Sequence, residues 1–183
     1  MRQATLNEAI QILRSGGVIA YPTEGVWGIG CDPDLEPAVA RILKLKNRPL
    51  SKGLIVIAEN WQQLAPYLLP LDPEVQERVM PTWPGPVTWV LPAAATCPRW
   101  LRGDHTSLAV RVTAHPVCQA LCAGLGKPLV STSANPSNQE PACSAAKVES
   151  YFPEGIDALI ARESDTSGCP SEIRDGLTGK KLR

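Results

Sequence analysis

A chain of 183 residues with 44% apolar and 20% charged side chains has enough apolar surface for one core. Both a disordered chain and two independent domains are set aside, and residues 1–183 are expected to form a single domain. Eighteen basic residues offset eighteen acidic ones, so overall charge argues for neither nucleic-acid nor membrane binding, and any attraction to phosphate must come from local clusters.

Thr5 with Glu8 three residues later reads as a capping box, and Ala9, Ile10 and Leu13 recur at helical spacing before Gly16 and Gly17, which predicts a helix from about Leu6 to Arg14. The opening MRQATLNEAIQ lacks the apolar centre of a signal peptide. No stretch approaches the roughly 18 apolar residues of a membrane span, so a cytoplasmic protein without membrane contact is expected. VIAYP, residues 18–22, predicts a buried strand ended by Pro22, and the glycine-rich TEGVWGIGCD that follows is expected to be a loop or tight turn.

Val39, Ile42 and Leu43 within EPAVARILKLK predict a second helix that must finish before Pro49, because the residue preceding proline is pushed away from helical angles. GLIVIA, residues 53–58, is the next strand. Asn60 and Asp72 read as helix N-caps, the latter with Pro73 at the first helical position. VTWVLP, SLAVRVT and PLVSTSA read as further strands, with a helix from about His115 to Leu125 between the last two, and SAAKVESYF and DALIA add one more helix and strand. VTWVLP and SLAVRVT are joined by a loop rather than a helix. The expected fold is therefore α/β, a twisted sheet of mixed parallel and antiparallel strands flanked by helices. Proline-rich PTWPGP, with Pro81, Pro84 and Pro86, implies a stiff, shaped loop.

Six cysteines (Cys31, Cys97, Cys118, Cys122, Cys143 and Cys169) include no CxxC pair, and with two histidines as co-ligands no metal site is predicted. Cys118 and Cys122 share a helix face with Val117, Leu121 and Leu125, which reads as core. His115 at a helix start and His105 in a polar loop read as structural or solvent-facing, and no Ser-His-Asp arrangement suggests itself.

Four segments gather polar groups at element ends, where ligands bind in open α/β sheets. In YPTEGVWGIG, Thr23 and Glu24 follow a strand, and Gly25, Gly28 and Gly30 let main-chain amides approach a ligand; a glycine-rich hairpin around a core Trp27 fits equally well. KLKNRPLSK carries Lys44, Lys46, Arg48 and Lys52 without an acid, which suits a polyphosphate. Complementing a helix dipole would account for Lys44 and Lys46 but poorly for Arg48 and Lys52. Arg111 sits between Val110 and Val112 in an apolar strand and becomes an anion clamp if its face lines a cleft. STSAN, residues 131–135, offers three hydroxyls and an amide at a strand end, as would a simple polar turn.

In chain order, YPTEGVWGIG, KNRPLSKGLIV, WPGPVTWVLP, LAVRV, STSAN and PSEIRD together resemble the TsaC/YrdC family of threonylcarbamoyl-AMP synthases across nearly the whole chain, in its short bacterial form. The resemblance implies one YrdC-like domain with a large, concave, positively lined cavity. It implies a nucleotidyltransferase that makes threonylcarbamoyl-AMP and pyrophosphate from L-threonine, bicarbonate and ATP, for threonylcarbamoyladenosine modification of tRNA. By the same resemblance the Lys-x-Arg pair, Lys46 and Arg48, is catalytic and binds ATP. Lys52, Ser131 and the Ser-x-Asn pair Ser133 and Asn135 are further ATP-binding residues, and Thr23, Thr88 and Arg111 bind threonine. Magnesium accompanies ATP, and the labile product implies downstream threonylcarbamoyl-transfer proteins, with at most weak contact to tRNA or double-stranded RNA. Two departures stand out: Gly25 replaces a usual threonine or alanine, and PSNQEP follows STSAN. The rival expectations are a structured-RNA-binding or ribosome-maturation factor, and a carbamoyl transferase acting on a protein.

Overall fold

The computed structural model describes residues 1–160, 168 and 170–183. In chain order these form β1 (Arg2–Gln3), α1 (Leu6–Arg14), β2 (Ile19–Tyr21), β3 (Gly28–Cys31), α2 (Glu36–Leu45), β4 (Ile55–Ala58), α3 (Trp61–Leu64), α4 (Pro73–Val79), β5 (Val87–Pro92), α5 (Arg99–Arg102), β6 (Ser107–Val112), α6 (Pro116–Leu125), β7 (Leu129–Ser133), α7 (Ala145–Tyr151), β8 (Ala158–Leu159) and β9 (Glu172–Asp175). The strands make one sheet in the order β1-β8-β2-β3-β7-β4-β6-β5-β9. Parallel pairs such as β4 with β6 stand beside antiparallel pairs such as β5 with β6, so the sheet is mixed; the link from β5 to β6, expected to be a loop, contains the single-turn helix α5, and the two strands pair antiparallel.

Local chemistry accounts for the element ends. The capping box is formed at α1, where the Glu8 carboxylate accepts from Thr5 N at 2.8 Å and Thr5 Oγ1 accepts from Glu8 N. Asn60 and Ser144 cap α3 and α7 through their side chains, whereas the Asp72 carboxylate makes no capping hydrogen bond and α4 starts on Pro73 alone. Cys118 and Cys122 of α6 are fully buried beside Leu121, and Cys31, Cys97, Cys118 and Cys122 are free thiols. The expected strand DALIA shortens to Ala158–Leu159; its last residue, Ala161, and Cys169 lie outside the described residues.

One expectation is corrected outright. Residues 28–31, placed in a loop by their glycine content, form the interior strand β3, with Gly30 opposite Ile19 of β2 and Ser131 of β7. The glycines are there for space. A Cβ at Gly30 would lie 2.3 Å from the Val130 carbonyl oxygen and 2.6 Å from the Tyr21 hydroxyl. Since neither neighbour is a flexible chain end, Gly30→Ala is expected to destabilise the protein by about 1–3 kcal/mol through overpacking, with an unchanged denaturation midpoint as the contrary result.

The two faces of the sheet are unlike. Val18, Ala20, Ile29, Val56, Val110 and Val112 belong to a large core cluster shared with Ala38, Val39 and Ile42 of α2 and with Val75 and Val79 of α4. On the other face α1 and α6 cover Ile19, Tyr21, Ile57 and Leu129, and beyond them the sheet is left open as a cavity of about 800 Å³.

Candidate active site

The cavity floor follows from strand register. Gly28 lies opposite Ser133, Gly30 opposite Ser131, Ser131 opposite Ile55, Ile55 opposite Ala109, and Ile57 opposite Arg111. Directly opposed residues share a face, so Ser131, Ser133, Ala109 and Arg111 all project to the cavity side while Val110 and Val112 point into the large core. The alternation that leaves Arg111 ambiguous in the sequence thus puts it in the cleft.

Lys46 caps the C-terminal end of α2, but its side chain does not lie along the helix end in solvent. It is 3% exposed, and Nζ donates to the main-chain oxygens of Ser133 and Asn135 at 2.5 and 2.6 Å. Ser137 N donates to the Lys46 carbonyl at 2.9 Å, so this one residue fastens α2 to the loop after β7 from both sides. Asn47, in the left-handed conformation at φ +49°, turns the chain sharply so that Arg48 also enters the cavity. There Arg48 donates Nε and Nη2 to the Gly53 carbonyl at 3.0 and 2.9 Å. The Lys-x-Arg and Ser-x-Asn segments, 85 or more residues apart in sequence, therefore meet in one hollow.

A second constellation surrounds Arg111. Its Nη1 donates to Thr88 Oγ1 at 3.2 Å and its Nη2 meets Glu24 Oε2 at 3.3 Å, while Nε is buried with no partner among the described residues. Glu24 also accepts from Thr113 Oγ1 at 2.6 Å and from Ala114 N at 3.0 Å. Burial pushes its carboxyl up, but the Arg111 charge and these hydrogen bonds outweigh it and hold the group below the ordinary glutamate value.

The remaining expected residues divide. Thr23, Lys52, Ser131, Ser133 and Asn135 line the cavity. Thr23 Oγ1 donates to Val26 O at 2.6 Å, and the Asn135 amide donates to Pro136 O and Gln139 O, which shapes the PSNQEP loop and leaves Oδ1 without a partner among the described residues. Thr88 lies behind the wall, fully buried, with its hydroxyl 3.3 Å from that of Ser171. Glu24, noted in the sequence only as a polar group after a strand, lines the cavity, as does His105, expected to be structural or solvent-facing; Arg102, Ser171 and Arg183, given no role by the sequence reading, line it too. Arg183 arrives because residues 180–183 fold back on β9, with Ile173 N donating to Arg183 O at 3.1 Å and Leu182 N to Ile173 O at 2.8 Å. No motif marks it; only the fold-back brings it in.

The outcome is a locally cationic hollow in a chain of balanced charge. Lys46, Arg48, Lys52, Arg102, Arg111 and Arg183 line it against two carboxylates, Glu24 held by Arg111 and Glu172 held by Arg174 and Lys181. Burial, then the nearby Arg48 charge, draw Lys46 down to about 7. Burial and Arg183 lower Arg48, and burial and Arg111 lower Arg183. Cations that raise one another's free energy in this way form a site waiting for a multivalent anion. Among the described residues no group of three His, Cys, Asp or Glu side chains is placed to hold a metal ion, and no helix is long and apolar enough to cross a membrane.

Residues 11–183 match the sequence model of the Sua5/YciO/YrdC family, described as "Telomere recombination". The chain is 54% identical over 182 residues to the threonylcarbamoyl-AMP synthase of Halorhodospira halophila, covering 100% of this chain and 95% of the relative. It is 53% identical over 175 residues to the synthase of the same name from Nitrosococcus oceani, covering 96% and 95%. Among solved structures, P. abyssi Sua5 complexed with L-threonine superposes with a TM-score of 0.87 at 32% identity over 93% of this chain. The match spans about half of that longer protein, 50% of its length.

Proposed function

The chain belongs to the Sua5/YciO/YrdC family, and we propose that it is a threonylcarbamoyl-AMP synthase, joining L-threonine, bicarbonate and ATP into threonylcarbamoyl-AMP and pyrophosphate for modification of tRNA. The observation that carries the reading is the meeting of Lys46, Arg48, Arg183 and Arg111 with the hydroxyls of Ser131 and Ser133 in a hollow large enough for a nucleotide and an amino acid. The threonine-bound Sua5 structure, whose fold this chain shares, supports the amino-acid half of the site.

In this reading the triphosphate lies against Lys46, Arg48, Lys52 and Arg183, with Ser131, Ser133 and the Asn135 loop on its other side, and the threonine carboxylate faces Arg111 beside Thr23. The neutral threonine amine adds to carbon dioxide derived from bicarbonate and loses a proton, giving a carbamate. A carbamate oxygen then bonds to the α-phosphorus of ATP as the bond to the bridging oxygen breaks, and pyrophosphate leaves with that electron pair. No protein nucleophile is needed. The chain's contribution is to hold two mutually repelling anions in line and to offset the charge that develops on the phosphates. Because Glu24 and Glu172 are already paired with cations, magnesium is read as arriving on ATP rather than on a protein carboxylate. We place the whole domain, residues 1–183, in the cytoplasm, handing its labile product to proteins that transfer the group to tRNA.

The test is pyrophosphate release by the purified protein from ATP, bicarbonate and threonine. Release at the same rate with serine, or with no amino acid, would sink the assignment. A second expectation concerns Lys46, half charged near pH 7 in the empty cavity. A bound polyanion favours its charged form, so ATP binding at pH 8 is expected to take up a sizeable fraction of a proton, measured as a dependence of the calorimetric heat on buffer ionisation enthalpy. Affinity should weaken as pH rises above about 7, and Lys46→Ala should abolish both effects.

A further inference from the structure

We infer that Glu24 is the positioning residue for amino-acid recognition, fixing the Arg111 guanidinium so that the Nη1 and Nη2 N–H groups not taken by Thr88 and Glu24 receive the substrate carboxylate; the inference rests on the threonine reading above. The argument starts from topology. Glu24 follows β2 and Arg111 lies on β6, and three strands, β3, β7 and β4, separate these two in the sheet. The loop after β2 nevertheless crosses to the end of β6, where Glu24 takes three donors: Thr113 Oγ1, Ala114 N and Arg111 Nη2. Its side chain is 16% exposed, and that of Arg111 is 6% exposed.

A carboxylate in the wall of a hollow built for anions is an anomaly unless it serves a cation. Facing Arg111 alone, an incoming carboxylate would meet a guanidinium free to swing about a long side chain. With Nη1 held by Thr88 and Nη2 by Glu24, the plane of the guanidinium is set from two sides, and each of these nitrogens keeps a second N–H for an incoming oxygen. A planar fork so fixed recognises a carboxylate by direction as well as by charge. Glu24 also cancels part of the positive charge at this end of the cavity, which reserves it for a singly charged group and leaves the polyphosphate to Lys46, Arg48 and Arg183. Its role is thus on the amino-acid side of the reaction.

The experiment uses the full chain and separates the two substrates. Glu24→Gln keeps an oxygen to accept from Thr113 and Ala114 but removes the charge that holds Arg111. Its threonine KM is expected to rise about tenfold, with the ATP KM within about twofold of the parent. Thr113→Val, which loosens Glu24 without touching its charge pair, is expected to raise the threonine KM about threefold in the same selective way and serves if Glu24→Gln does not fold. Unchanged threonine KM in the folded variants overturns the inference, as does an equal rise in both KM values, which would mark a merely structural role. Should the parent protein release no pyrophosphate with threonine, it is the parent reading that has failed.

Discussion

Lys46→Met is expected to lose at least about tenfold in the rate of pyrophosphate release, near 1.4 kcal/mol in the barrier, and to lower stability by about 1–3 kcal/mol. The double loss follows from the double use of one side chain. In the parent, Nζ gives hydrogen bonds to the Ser133 and Asn135 carbonyls. Methionine fills the same volume with no donor; the Ser133 oxygen keeps its bond from Asn135 N, but the Asn135 oxygen loses the donor that Lys46 Nζ gave it in a site largely shut off from water, and such a loss typically costs about 1–3 kcal/mol. The hydrogen bond from Ser137 N to the Lys46 carbonyl still ties the loop carrying the Ser-x-Asn segment to α2, but the two bonds from Nζ are gone, so the hydroxyl side of the cavity loosens at the same time as a cation is removed. Denaturant titration reads the first effect and single-turnover kinetics the second. A variant with parental midpoint and rate would remove Lys46 from both roles.

Arg111→Met is expected to be the most destabilising single change in the cavity wall, by about 3 kcal/mol at neutral pH, because it strands the partly buried Glu24 carboxylate. The pH dependence gives the sign. In the parent the folded carboxyl is held below its ordinary value, so the pair contributes stability above that value and loses it as pH falls. In the variant burial acts unopposed by Arg111 and raises the folded carboxyl, so the penalty is full at high pH and is relieved as pH falls and Glu24 takes up a proton. The stability gap between parent and variant should therefore narrow toward about pH 4. Adding Glu24→Gln to Arg111→Met should recover most of the loss; a gap that neither acid nor the second substitution reduces would mean that packing, not charge, sets it.

Much of this could be read before any coordinates. Where a repeating apolar pattern met an explicit stop, the boundaries came out nearly to the residue: α1 between its capping box and two glycines, α2 between Glu36 and the turn before Pro49, and β5 as VTWVLP. The motifs that carry the family resemblance also contain most of the cavity wall. β3 was hidden because glycine signals a turn when it stands alone, whereas here Gly28 and Gly30 alternate along a strand to make room for Thr23 and Tyr21. β1, with two residues, and β9, spelled EIRD, are too short and too polar to show a period, and they exist because neighbouring strands offer them a ladder. Side-chain direction was less legible still. Lys46 looks like an ordinary helix-terminal cation, yet its Nζ reaches the Ser133 and Asn135 carbonyls of a distant loop, and Thr88, one residue from Trp89, supports Arg111 from behind instead of facing the hollow.

The fold-back of residues 180–183 has a practical side. Because the Arg183 main chain is pinned on Ile173 while its guanidinium stands in the cavity wall, anything fused after it is tethered at the mouth of the hollow. A purification handle attached there would crowd the nucleotide, and a run of histidines would add its own titrating charge, so protein meant for kinetic work should carry its handle ahead of Met1 or none.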